Sequence, residues 1–302
     1  MNDAPDQGPP PPATLRITPY EVAFAAAGFE ADVFATIAAD ADLHGTDPLR
    51  FERFPLLPSV AEAVRTFGPP DAPPEALEQY RALLYHGFNY WRHDRPTYLV
   101  QSALARFLVE AQPGMEGWEL TLPEPSLYLQ LPPNLFWGSV SPESTPEPVD
   151  GMFVTGAPGR DVVGTPFIRL EVLMVLGLRR ERAGFSVIPF DTEAGPGIAA
   201  VWAERGSRER GADFENVLPG GEISGLYSLL TVGEVLKLLG RILWYIDRYP
   251  ADVSPEITPS PLPEDARAAI RPSRVSYRLV SLGSGGEAGE PGGASGGAGT
   301  PS

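Results

Sequence analysis

Apolar residues recur at helical spacing over the first third of this chain and alternate with polar ones beyond residue 120. Three places carry the same helix-start signature, a hydroxyl residue followed three positions later by Glu. They are Thr18-Pro19-Tyr20-Glu21, Ser59-Val60-Ala61-Glu62 and Thr231-Val232-Gly233-Glu234. In each, the hydroxyl can accept from the third amide while the Glu reaches back to the first. The pattern predicts helices over 19–39, 60–67 and 232–248, with Gly68-Pro69-Pro70 stopping the second. Two more are expected over 74–92 and, after Pro96, over 97–110, so residues 14–112 read as a helical region.

The pattern changes near Pro113-Gly114. Leu127, Leu129 and Leu131 alternate with Tyr128 and Gln130, a strand with one buried face. Short strands are expected at Phe136–Val140 and Met152–Thr155, then a hairpin joining Phe167–Leu176 to Phe185–Phe190. Ile198–Ala203 reads as another strand, and Val275–Leu279 as a last edge strand. In the helix over 232–248, Val235, Leu239, Ile242 and Ile246 form one face, while Glu234, Lys237, Arg241 and Arg248 are expected to stay in water. The predicted class is α+β: an N-terminal helical segment, then a mostly antiparallel sheet with a long amphipathic helix packed on it. Residues 1–13, ending in four prolines, and 283–302, rich in Gly and Ser, read as disordered ends flanking regions 14–112 and 113–282, which can together form one domain.

Composition narrows the chemistry. The chain has no cysteine, three histidines (His44, His86, His93) and one lysine, Lys237. Thiol catalysis, disulfides and Cys-ligated zinc are excluded. The formal charge of −16 repels phosphate backbones and anionic bilayers, which argues against general nucleic-acid or membrane binding. The most apolar long stretch, 226–246, carries Glu234, Lys237 and Arg241, too many charges for a membrane span. Residues 1–12 lack the basic and apolar regions of a secretory signal, so a soluble cytoplasmic protein is expected.

Four segments could carry chemistry. Asp40-Ala41-Asp42-Leu43-His44-Gly45-Thr46-Asp47 resembles the opening of a calcium loop, with Asp40, Asp42 and Asp47 as candidate ligands. Its fifth place is His44 and its twelfth is Phe51 where a bidentate Glu is required, so the competing expectation is an acidic helix end followed by a turn. Tyr85, His86, Trp91 and His93 form an aromatic stretch that either lines a pocket between helices and sheet or belongs to the core. His86 and His93 are two turns apart, about 10 Å, too far to share a metal. Asp191 and Glu193 are a carboxylate pair at a strand end, an acid–base pair if their surroundings differ and a solvated loop otherwise. The Arg179, Arg180, Arg182 run, with Arg205, Arg208 and Arg210 beyond it, could dock an acidic partner or phosphate, or pair with the intervening Glu181, Glu204 and Glu209.

No nucleophile–base pair and no phosphate loop emerges, and no cofactor is implied. The expected function is non-catalytic, binding another protein; the alternative is a small-molecule-binding protein or hydrolase with its pocket at Tyr85, His86, Trp91 and His93.

Overall fold

A computed structural model describes residues 15–24, 26, 28–110, 115, 117–139, 144–178, 184–195, 223–259 and 273–283, the side chains of 223–232 excepted. Its first helix, α1 (Pro19–Ala23), starts at the expected capping box, with Glu21 N bonded to Thr18 Oγ1 and Thr18 N to Glu21 Oε2. The helix expected to run to 39 is broken: Gly28 adopts φ +85°, a π-helical turn follows at Glu30–Phe34, and α2 (Ala35–His44) resumes the α-helix. Helix α3 (Pro58–Phe67) does not use Ser59 as its cap; Ser59 instead donates its N and Oγ to Asp40 Oδ2, at 2.9 and 2.6 Å. Helix α4 (Pro74–Arg92) lies where the spacing placed it.

The expected helix over 97–110 is divided. Thr97–Val100 is strand β1, buried along its whole length, and only Ser102–Glu110 is helical, α5. Four consecutive β-branched or bulky residues favour the pleated backbone, and two strands are available to pair with it. Strands β2 (Ser126–Gln130), β3 (Trp137–Gly138), β4 (Glu147–Arg160), β5 (Pro166–Leu176), β6 (Ser186–Ala194) and β7 (Arg278–Val280) complete a seven-stranded sheet. The order is β6-β5-β4-β2-β1-β7, with β3 on β4. Because β1 is parallel to both β2 and β7 while the rest pair antiparallel, the sheet is mixed. This corrects the expected helices-then-antiparallel-sheet order, since a strand from the helical region sits inside the sheet.

The sheet is covered on both faces. Tyr128, Phe153, Leu173 and Val175 face α1–α4, in a cluster with Phe34, Phe54, Tyr85, Phe88 and Tyr90. Leu129, Met152, Val154 and Met174 face the other way, onto Leu104 and Leu108 of α5 and Leu239 and Ile242 of α6 (Ile223–Arg248). Helix α6 is not amphipathic, the second correction to the expected fold. Lys237 and Arg241, read as solvated, are buried at 7% and 2% exposure, and Arg241 Nη1 bonds the Val109 carbonyl of α5 at 3.0 Å. The guanidinium thereby satisfies a carbonyl at the α5 C-terminus. The Thr231–Glu234 box also lies inside α6 and does not start it. The expected strand 198–203 and both chain ends lie outside the described residues.

The sheet is closely packed at Gly151, where β2 and β4 pair at Gln130 and Gly151. A Cβ there would stand 2.3 Å from the Leu129 carbonyl and 2.6 Å from the Tyr128 hydroxyl. Gly151→Ala is expected to lower stability by about 2–3 kcal/mol, because overpacked backbone must shift. Urea unfolding reads this directly, and an unchanged midpoint would contradict the packing described.

Candidate functional site

The acidic loop does not assemble a cation site. Asp40 is held by Ser59, and His44 Nδ1 lies 2.9 Å from its Oδ1. The Ser59 hydroxyl and amide, with His44 adding less, hold the Asp40 carboxyl below its usual range. Asp42 turns to Arg92 at 3.4 Å, and Asp47 accepts from Leu49 N at 3.0 Å within its own turn. Three carboxylates thus serve three separate partners, and among the described residues no group of three or more His, Asp or Glu could hold a metal.

The aromatic stretch faces several ways. Tyr85 is buried on the sheet side of α4, and its hydroxyl donates to the Leu49 carbonyl at 2.6 Å. Trp91, half-buried, packs against Phe34 and Phe88 with ring centroids 5.6 and 6.0 Å away. His93 bonds the Asn89 carbonyl at the end of α4. His86 is 2% exposed and stacks on Phe153. The space expected for a pocket is therefore filled by side chains of the core. Arg179, Arg180, Arg182, Arg205, Arg208 and Arg210 lie outside the described residues.

What the layer does contain is a polar row. Ser126, Thr155, Glu171 and Asp191 stand directly opposite one another across β2, β4, β5 and β6, so all four share the face turned to α4. Ser126 Oγ and Thr155 Oγ1 are 3.0 Å apart, and His86 Nδ1 is 3.1 Å from Thr155 Oγ1. The spacing resembles a nucleophile and its base. Yet Ser126 and Thr155 have no exposed surface, and burial pushes the His86 imidazole down to about 3. The three groups satisfy one another's hydrogen bonds inside the core, out of a substrate's reach.

The row comes to the surface at its other end. Arg169 of β5 bonds Glu171 Oε1 through Nε at 3.1 Å and Asp191 Oδ2 through Nη2 at 3.0 Å. Asp191 and Glu193, the expected strand-end pair, lie within β6 opposite Glu171 and Arg169. Burial, with the neighbouring Asp191 charge, raises the Glu171 carboxyl to about 7 although Arg169 opposes this. The sequence carried a signal for this pair: Arg169 and Glu171 interrupt an otherwise apolar strand at a spacing of two.

Beyond this row β4 and β5 run on as an arm. Residues 158–167 are all exposed or half-exposed, and Val162 and Val163 at the apex are 105% and 81% exposed. The apex is nevertheless well fixed. Asp161 Oδ1 accepts from the amides of Val163 at 2.9 Å and Thr165 at 2.8 Å, and the Thr165 amide chiefly holds that carboxyl below its usual value. Gly164 supplies φ +90°, and Arg160 Nη1 bonds its carbonyl at 2.9 Å. At the root, the ring of Phe167 lies over Gly159, where a Cβ would meet it at 2.5 Å. Asp-Val-Val-Gly, a side-chain-capped turn with two apolar residues inside it, was legible in the sequence but not singled out there.

Neither a protein-family model nor a curated protein matches the chain. Among solved structures it is similar to the one titled "Crystal structure of AcrVA2", at 12% identity and a TM-score of 0.45, over 86% of this chain and 82% of that one. A likeness at that level carries no functional argument.

Two of the shifted groups, Glu171 and His86, oppose one another in acid. Glu171 titrates higher in the fold than its ordinary 4.5, so stability falls as pH rises from there through about 7. His86 titrates lower than its ordinary 6.5, so stability present above that value is lost as pH falls toward about 3. Glu171→Gln isolates the first. It is expected to stabilise the protein by about 1–2 kcal/mol at pH 8, after allowance for solvent screening, and by almost nothing at pH 4. Urea unfolding of parent and variant at both pH values measures the difference; an equal gain at both would remove the charge explanation.

Proposed function

We propose that this protein acts without catalysis, by binding another protein, and that the arm of β4 and β5 is its contact surface. One observation carries the reading: two β-branched side chains, Val162 and Val163, stand exposed on a turn that Asp161, Gly164 and Arg160 already hold in place. Apolar side chains exposed together on an ordered apex bring burial energy to a complex with little ordering cost. Burying each valine contributes about 1.5–3 kcal/mol. The partner is read as a protein with an apolar recess and a cationic rim. The charge of −16 and the carboxylates of Asp191 and Glu193 beside the arm support that sign. The same charge speaks against nucleic acid as the partner, and we read the cytoplasm as its compartment. Among the described residues no helix is long and apolar enough to cross a membrane.

A photo-crosslinking residue placed at 163 in the cells that make the protein tests this. Discrete adducts with one partner are expected at 163, and none of that partner from the same residue at Leu43, which is also 81% exposed. Val162→Asp is expected to weaken that complex about 10-fold or more, and the double change with Val163→Asp about 100-fold or more, from the lost burial. The same adducts from both positions, or adducts indifferent to Val162→Asp, would overturn the reading.

A further inference from the structure

The arm joins the body at the row that contains Glu171, and among the described residues the charges there do not balance. Glu171 of β5 is 7% exposed and faces Asp191 across β6, with Arg169 bonded to both. From the loop after α2, Glu52 adds negative charge to the same place, and its own partner Arg50 is 4.0 Å away and also drawn to Asp47 at 3.8 Å. Helix α4 contributes the Tyr85 hydroxyl, which is bonded to Leu49, and His86, which is bonded to Thr155 on β4. Glu193 stands opposite Arg169 on the outer strand. Among the described residues, ionised Glu171, Asp191 and Glu52 thus meet Arg169 as the cation bonded in the row, with Arg50 drawn between Glu52 and Asp47.

We propose that Glu171, Arg169 and Asp191 form a proton-operated clamp at the root of the arm, closed when Glu171 is protonated and loosened when it is ionised. A proton on Glu171 leaves Arg169 and Asp191 as a matched pair bridging β5 and β6. Loss of that proton places a third carboxylate in a half-dry site, where repulsion from Asp191 and Glu52 is poorly screened. The strain falls on the rungs just beyond, where Arg169 pairs with Ala157 and Phe167 with Gly159, and on the loop carrying Glu52. The raised Glu171 carboxyl, near 7, puts the change within the neutral range. The clamp is a regulation of the arm proposed above as the contact surface, and rests on that reading for its use.

Amide hydrogen exchange of the whole protein at pH 6 and pH 8, corrected for intrinsic rates, tests the clamp with no partner present. If opening the arm returns Glu171 to its ordinary value of 4.5, amides over 157–169 are expected to be about tenfold better protected at pH 6 than at pH 8. Locally opening amides of α3, which makes none of the clamp's contacts, serve as the unlinked reference. Glu171→Gln, which leaves His44 and His93 in place, is expected to hold the arm at the higher protection at both pH values. Asp191→Asn removes the repelling charge and frees Arg169 for Glu171, so the transition moves to lower pH. Arm protection that is flat with pH in the parent, or that keeps its pH dependence in Glu171→Gln, would overturn the clamp. So would a transition unmoved by Asp191→Asn. The crosslinking result at 163 does not depend on pH-linked protection, so each idea can fail without the other.

Discussion

Phe153 of β4 holds the two halves of the protein together. Its ring lies against Tyr128 at 4.8 Å, Tyr90 at 5.4 Å and His86 at 6.2 Å, so one side chain joins the central strands to the longest of the N-terminal helices. Large aromatic side chains contribute the most burial per residue, and tilted or edge-on contacts add specificity. Because strand residues alternate faces, seating Phe153 under α4 also sends Met152 and Val154 to α5 and α6. A one-residue slip of β4 would exchange these sets and place Thr155 among the leucines of the opposite layer.

That register explains how polar groups come to be inside. Thr155 is two residues from Phe153 and must share its face, and Ser126 stands opposite it on β2. The hydroxyls are tolerated because His86, one helical position after Tyr85, descends onto them and completes their bonding. The imidazole stays neutral there, since a charge at that depth would lack water and has no counter-ion. Along the same row the environment grades outward from dry to wet, and Glu171 falls at the transition. Its behaviour follows from position in the sheet more than from its neighbours in the chain.

Among the described residues, the β6 end of the sheet is handled differently from its middle. Strand β6 lies at the end of the strand order and carries Pro189, Asp191 and Glu193, devices that discourage pairing by another strand. The apex of the arm instead presents Val162 and Val163 to water, at 105% and 81% exposure, on a turn held by Asp161 and Arg160. A chain that guards one surface and leaves another open has a physical asymmetry, and the proposed contact uses the open one.

Local signals determined what depends on near neighbours. The capping box at Thr18 and the start and end of α4 each need only a few adjacent residues and stand in the fold as read; the strand at Ser126–Gln130 forms where the alternation put it, but both of its faces are buried rather than one. Tertiary pairing decided the rest. Thr97–Val100 follows Pro96 and leads into helical spacing, but β2 and β7 offered it hydrogen bonds on both sides and it became a strand. Ser59 looks like a cap until Asp40, nineteen residues earlier, takes its hydroxyl. Lys237 and Arg241 fall on the polar side of a helical wheel, yet they are buried, because α6 is covered where its sequence alone expects water. Arg169 with Glu171, and Asp191 with Glu193, are visible locally, but no stretch of the chain shows that they line up with Thr155 and Ser126 in one row. Its members are separated by 16 to 29 residues, and only the strand register, set by which side chains fill the two cores, brings them into line.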